Sequence, residues 1–225
     1  MEYFNYPYFH LILILVALIS YIIGSINPAI IMSKIIYNED IRKKGSGNPG
    51  FTNFKRVYGN KFTTWLVLIL DWLKTLVPVM VTGIIFHINF DLYQYGCQFS
   101  GLFVMLGHCF PIFYKFKGGK AFIAGAATLF FVDYRAGLVM ICIFMLILFT
   151  LRFMSLASTI SAFLSPIVIA LFNIPNFMNS DTLAITVLTT LLSLCAATLI
   201  ILRHIPNFIK LAKGEESKFY LKNKA

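Results

Sequence analysis

Apolar residues run in long blocks along this chain, and short polar stretches separate them. The first block, 9–37, is interrupted by Ser20, Gly24, Ser25, Asn27, Pro28 and Ser33. Further blocks cover 62–88, 98–113, 121–132, 136–151, 155–174 and 182–202. A membrane-spanning helix takes about 20 apolar residues. The pattern therefore predicts an all-α polytopic membrane protein, with seven transmembrane helices in one domain over 1–225 and a polar tail from about residue 214. The patch 24–28 predicts close helix contact or a kink. Block 121–132 reaches roughly 18 Å at 1.5 Å per residue, against a hydrocarbon core of about 30 Å. Its flanking glycine loop must complete the crossing or lie below the headgroups. Irregular backbone at that depth is tolerated only under protein or beside water, so the loop is expected to line a cavity at the membrane interface.

Composition agrees with this pattern. Hydrophobic residues make up 59% of the chain, charged residues only 12%, and mean hydropathy is +0.80. A net charge of +10 raises nucleic acid as a partner. The cations sit at the ends of apolar blocks and not along one polar face, which argues against it. Alternating crossings place all 19 basic residues except Arg135 and Lys74 on one side. By the positive-inside rule that side is cytoplasmic, so the N-terminus lies outside and the C-terminus inside. The start, MEYFNYPYFH, lacks a basic region and a small-residue cleavage site, so the first block reads as a retained helix. Cys97, Cys109, Cys142 and Cys195 have no CxxC spacing and read as small buried hydrophobes.

The most informative polar stretch is 41–61, IRKKGSGNPGFTNFKRVYGNK. Arg42, Lys43, Lys44, Lys55 and Arg56 supply charge, while Gly45, Gly47 and Gly50 bracket Ser46 and Asn48. Glycines let backbone N–H groups form an anion-binding nest. A loop that only set topology would need Lys and Arg alone. Three more stretches fall on the same side: 115–120 (KFKGGK), 152–158 (RFMSLAS) and 203–207 (RHIPN). Lys120 and Ser158 stand where helix N-termini favour anions. Convergence of the four points to a phosphorylated substrate. The Gly118-Gly119-Lys120 run lacks Walker A spacing, which speaks against ATP hydrolysis.

Other candidates carry two readings each. His204 is a base or hydroxyl-orienting group, or else an interfacial histidine beside a helix end. His108 reads as a packing histidine. Asp71 and Lys74 are spaced to pair on one helix, either as functional intramembrane ions or as a neutral brace. The nine carboxylates include no clustered DxxD pair for Mg²⁺, which disfavours a CDP-alcohol phosphotransferase and most metal-dependent phosphatases.

At this point the chain resembles a known family, the bacterial membrane-embedded acyl-phosphate:glycerol-3-phosphate acyltransferases (PlsY family). One motif resembles GSGNxGxTN, at 45–53, followed by Arg56. A second resembles GHxxPxFxxFKGGK, at 107–120. A SLAS segment stands at 155–158, and a third motif resembles RHxxNIxRLxxGxE, at 203–216. The resemblance implies seven transmembrane helices and an external N-terminus. It also implies transfer of an acyl group from acyl phosphate to the sn-1 hydroxyl of glycerol 3-phosphate, giving lysophosphatidate and phosphate. Carried over by position, Ser46, Arg56, Lys120 and Ser158 hold phosphate groups, and His204 and Asn207 orient the glycerol hydroxyls. Gly45, Gly47, Asn48, Thr52, Asn53, Lys117, Gly118, Gly119 and Ser155 complete the expected substrate-binding set, with no metal and no cofactor beyond the co-substrate acyl phosphate. The implied setting is the bacterial plasma membrane, with the site on the cytoplasmic face of a monomer that also contacts membrane lipid.

Some positions depart from the family pattern. Ala121 replaces a glycine, Phe51 a small residue, Lys210 an arginine and Phe208 an isoleucine, and Pro49 follows Gly-Asn. A methyl group at 121 is expected to crowd a phosphate-binding backbone. Two other classes compete with the enzyme. A carrier or flippase for a phosphorylated solute or lipid should show paired broken helices and access from both sides. A non-catalytic lipid-binding scaffold would be marked by the departures at 51 and 121.

Overall fold

A computed structural model describes residues 6–220. The expectations that fall on 1–5 and 221–225, including the outward Glu2 and the tail cations Lys222 and Lys224, lie outside the described residues. The regular elements of the described residues are all helical, with no strand, and include two short 3-10 turns at Ile41–Lys43 and Ile112–Tyr114 besides the α-helices. Ten helices follow in order: α1 (Pro7–Ser25), α2 (Pro28–Tyr37), α3 (Phe51–Tyr58), α4 (Phe62–Phe90), α5 (Tyr93–Cys109), α6 (Phe122–Val132), α7 (Tyr134–Leu151), α8 (Met154–Phe172), α9 (Ile174–Phe177) and α10 (Ser180–Ala212). Among the described residues, six segments are long and apolar enough to cross a membrane, with α1 and α2 counted together. The short α6, of 11 residues, is an additional apolar helix.

The patch at 24–28 produces both a break and a close contact. α1 ends at Ser25, and Asn27 caps α2 by accepting from Ile30 N at 3.0 Å. Gly24 lies against the Val104 backbone of α5, where a β-carbon would overlap it. The central helix is α5, the most buried of the long ones, and it packs on α1, α4, α6 and α10. Small residues let these backbones approach where the hydrophobic effect offers no drive between helices in lipid. Outer faces carry apolar stripes at helical spacing, such as Leu11, Ile14, Leu15 and Leu18 on α1 and Leu138, Met145, Leu146 and Phe149 on α7. Cys142 and Cys195 lie on such exposed surfaces, and only Cys97 and Cys109 are buried as expected.

Three boundaries differ from the sequence pattern. The 41–61 stretch is not all loop, because Phe51, Phe54 and Val57 give it an amphipathic helix, α3. Phe54 is buried in a cluster with Ala29, Ile30, Ile41 and Val67. Phe51 lies 5.4 Å from the Trp65 ring, so the larger side chain is absorbed by packing. The third block starts earlier, at Tyr93, because its first turn packs inward. The last helix runs on to Ala212 through Pro206, so Arg203, His204 and Asn207 lie within a helix and not beside its end. Their polar side chains find partners inside the protein.

Candidate active site

The first loop is built around Asn53, from α3. Its Oδ1 accepts from Ser46 N at 2.8 Å, and its Nδ2 donates to Lys44 O at 3.0 Å and Ile41 O at 3.4 Å. Gly45 and Gly47 hold the turn with φ of 55° and 74°, backbone conformations that glycine enters without strain. Asn27 Nδ2 donates to Pro49 O at 3.1 Å and ties the loop to the α1–α2 break. Arg42 pairs with Asp40 at 2.6 Å and donates to Tyr114 O at 3.3 Å, which joins this loop to the next. The Arg42 guanidinium holds the Asp40 carboxyl down at about 2. Ser46 and Arg56 are exposed, whereas Asn48 and Thr52 are half-buried.

The second loop turns back under the end of α5. Gly118 N donates to Cys109 O at 3.2 Å and Gly119 N to His108 O at 3.0 Å. Arg203, from α10, donates to Gly119 O at 3.1 Å and Gly118 O at 3.0 Å. The N–H and C=O groups of Gly118 and Gly119 are thus all paired within the protein. A β-carbon on Gly119 would overlap the His108 ring. Lys117 is exposed, while Lys120 is half-buried and donates to Asn207 Oδ1. Burial pushes the Lys120 ammonium down to about 8, with Arg203, Arg56 and Lys210 adding to the push and the Glu216 carboxylate opposing it. Ala121 is left-handed, at φ 57°, and its methyl packs into the cluster of Val104, Met105, Cys109, Ala124 and Ile200. The expected crowding of a phosphate-binding backbone does not arise there, since the methyl points into the core.

The third part comes from α8, α10 and the tail. His204 is buried, and Nδ1 lies 2.8 Å from Ile200 O. A carbonyl only accepts, so the ring proton sits on Nδ1 and Nε2 keeps a free lone pair. Ser155 and Ser158 are buried at the start of α8. Glu216 joins the helices: Oε1 accepts from Asn207 Nδ2 at 2.8 Å and Oε2 from Ser155 Oγ at 2.6 Å. Next to it, Ser217 Oγ accepts from Arg56 at 2.6 Å, and Phe219 N donates to Arg152 O at 2.7 Å. The tail segment 215–220 is thus a strap across three of the four basic stretches.

Lys120, Asn207, Ser155 and Arg56 gather at this strap, and His204 lies one turn before Asn207 on α10. Ser46 makes no hydrogen bond to that cluster among the described residues, and Arg42 and α3 link its loop to the second loop and the strap. Asn53 lies in the loop's interior, where its amide shapes the turn. Glu216 and Arg203 are site residues that the residue-type reasoning missed. Their positions at the two ends of the 203–216 motif were the available signal. No group of three or more His, Cys, Asp or Glu that could hold a metal occurs among the described residues. An apolar groove of about 520 Å³ lies apart from the cluster, toward the other ends of α8 and α10, lined by Pro166, Leu171, Thr190 and Leu194.

Known proteins share this architecture. A family model described as glycerol-3-phosphate acyltransferase matches residues 14–214. A glycerol-3-phosphate acyltransferase of Mycoplasma mobile is 36% identical over 94% of this chain and 94% of its own. One of Cupriavidus metallidurans is also 36% identical, over 94% of this chain and 98% of its own. Among solved structures, PlsY (YgiH), an integral membrane glycerol 3-phosphate acyltransferase, aligns in its glycerol 3-phosphate form with a TM-score of 0.74 and 29% identity over 92% of this chain and 96% of that one. Its lysophosphatidic acid form aligns with a TM-score of 0.71 and 28% identity, over 92% of this chain and 95% of that one. With the family motifs brought together by the fold and the match running almost end to end, this chain belongs to the glycerol-3-phosphate acyltransferase family of integral membrane proteins.

Proposed function

We propose that the protein moves a fatty acyl group from an acyl phosphate to the sn-1 hydroxyl of glycerol 3-phosphate, an opening step of phospholipid synthesis. The sn-1 oxygen attacks the acyl carbonyl carbon, the bond from that carbon to the phosphate oxygen breaks, and phosphate leaves. The hydroxyl proton goes to the leaving phosphate or to His204 Nε2, whose lone pair is free. An acyl phosphate is a mixed anhydride and already activated, so the reading asks for no ATP, metal or further cofactor. The protein lowers the barrier by holding two anions side by side and neutralising them. Lys120, Arg56, Ser46 and Ser158, with the Gly45–Gly47 and Gly118–Gly119 amides, would hold phosphate oxygens. His204 and Asn207 would orient the glycerol.

The observation that carries this reading is the hydrogen bond from Lys120 to Asn207, two stretches far apart in the chain, with His204 one turn before Asn207 on α10. It also takes α6 as a seventh, short crossing, with the N-terminus outside and the polar cluster on the cytoplasmic face of a bacterial plasma membrane. The chain would act as a monomer, with the acyl tail lying between helices open to lipid. Polar motifs confined to one end favour the enzyme over a carrier, which needs access from both sides. The test is phosphate release by the purified protein in detergent from palmitoyl phosphate and glycerol 3-phosphate. Release that needs both reactants and is lost in Lys120→Ala is expected; release undiminished in that variant overturns the assignment.

A further inference from the structure

Lys74 is a buried cation that the proposed chemistry does not use. It sits on α4 with its side chain about 7% exposed, and its ammonium has three partners on three elements. Asp71 Oδ1, one turn back on α4, lies at 2.9 Å. Ile26 O, at the α1–α2 break, accepts at 2.8 Å, and His108 Nδ1, on α5, lies at 2.9 Å. Of these contacts, those to Ile26 O and His108 Nδ1 are hydrogen bonds, and that to Asp71 Oδ1 is an ion pair without hydrogen-bond geometry. A pair that served only to neutralise Asp71 would need neither hydrogen bond.

The two remaining partners lead to different loops. Ile26 precedes Asn27, whose amide holds Pro49 O in the first loop and caps α2. His108 O accepts from Gly119 N, and its ring lies against Gly119, where a β-carbon would meet Nε2. Because the ammonium donates to Nδ1, the neutral ring carries its proton on Nε2, beside the second loop. Without Lys74, Nδ1 would face Asp71 Oδ1 at 3.6 Å, and the ring would turn its proton to the carboxylate.

We propose that Lys74, fixed by Asp71, is a positioning residue that sets the distance between the two phosphate-holding loops. A buried ion pair is weak support for stability alone, since an apolar pair of similar volume often serves as well. Two directed hydrogen bonds, one toward each polar loop, are what an apolar pair could not supply. The inference rests on the reading that these loops hold the two phosphorylated reactants.

The test compares wild type, Lys74→Met and the double variant Asp71→Asn/Lys74→Met, which leaves no unpaired carboxylate. Each is assayed for KM and kcat with both reactants, and for amide hydrogen exchange at 44–50 and 117–120. Both variants should raise the two KM values roughly tenfold or more, with a smaller fall in kcat, because a loop displaced by about 1 Å misplaces its reactant. Exchange should quicken at both loops, and the double variant should recover thermal stability without recovering KM. Unchanged KM and exchange in a folded double variant overturns the proposal, as does a KM defect that disappears when stability returns. Wild type without turnover, combined with exchange that still quickens at both loops in the variants, overturns the functional reading alone.

Discussion

Glu216 Oε1 accepts a hydrogen bond from Asn207 Nδ2 at 2.8 Å, and this contact turns the Asn207 carbonyl oxygen toward Lys120. A carboxylate can only accept and an ammonium can only donate, so the amide between them has one orientation. Glu216 is also the carboxylate that opposes the downward push on Lys120. The tail strap therefore sets the direction of the Asn207 amide and favours the charged form of Lys120.

The first expectation concerns pH. Lys120 has a pKa lowered from 10.5 to about 8, so in the free protein it loses its proton as pH rises through 8. A profile of kcat/KM for glycerol 3-phosphate against pH should fall above about 8, approaching tenfold per unit. Lys120→Arg should carry the decline to higher pH, because guanidinium does not titrate in that range. For stability the sign is opposite. The folded state disfavours the charged ammonium, so stability should rise between about pH 8 and the unfolded value near 10.5.

Glu216→Gln should shift the same decline to lower pH, since the negative charge that raises the Lys120 pKa is removed. The amide can still accept from one partner, so folding should be largely kept. A decline that stayed in place, or moved to higher pH, would mean that Glu216 does not act on Lys120.

Asn53→Ala should loosen the first loop. It leaves Ser46 N and the Lys44 and Ile41 carbonyls without their side-chain partner. Unsatisfied groups of this kind cost about 1–3 kcal/mol each when buried. The expected result is a lower thermal midpoint together with a higher KM, measured by detergent-phase unfolding and steady-state kinetics. A change in kcat alone would place Asn53 on a substrate instead.

Ala121→Gly should be close to neutral. Relief of left-handed backbone strain is worth about 1–2 kcal/mol. Loss of a buried methyl, about 0.8 kcal/mol, and the greater unfolded-chain freedom of glycine, about 0.4–1 kcal/mol, offset it. Ala121→Val should be clearly destabilising, by about 2 kcal/mol or more, because a β-branched residue at positive φ adds strain. Unfolding midpoints of the two variants check the pair.

Much of this protein is legible from local chemistry. Lipid accepts only apolar, internally hydrogen-bonded segments, so block length marks the long helices and the positions of Lys and Arg mark their ends. The glycine-rich basic loops announce themselves because few other loops need that mixture. Partners distant in the chain are another matter. Nothing local to Asn53 says that its amide faces into its own loop, nor that the Ala121 methyl enters the core. That Asn207 meets Lys120 and Glu216, and Arg203 the Gly118 and Gly119 carbonyls, depends on α10 packing beside the second loop and the tail. Asp71 and Lys74 are visible as a pair from their spacing, yet the reach of Lys74 to Ile26 and His108 depends on α1, α4 and α5 packing together. Composition and periodicity act on neighbours along the chain and so mark where segments go. The direction of a side chain follows from hydrogen-bond partners that only the assembled helices bring within 3 Å of one another.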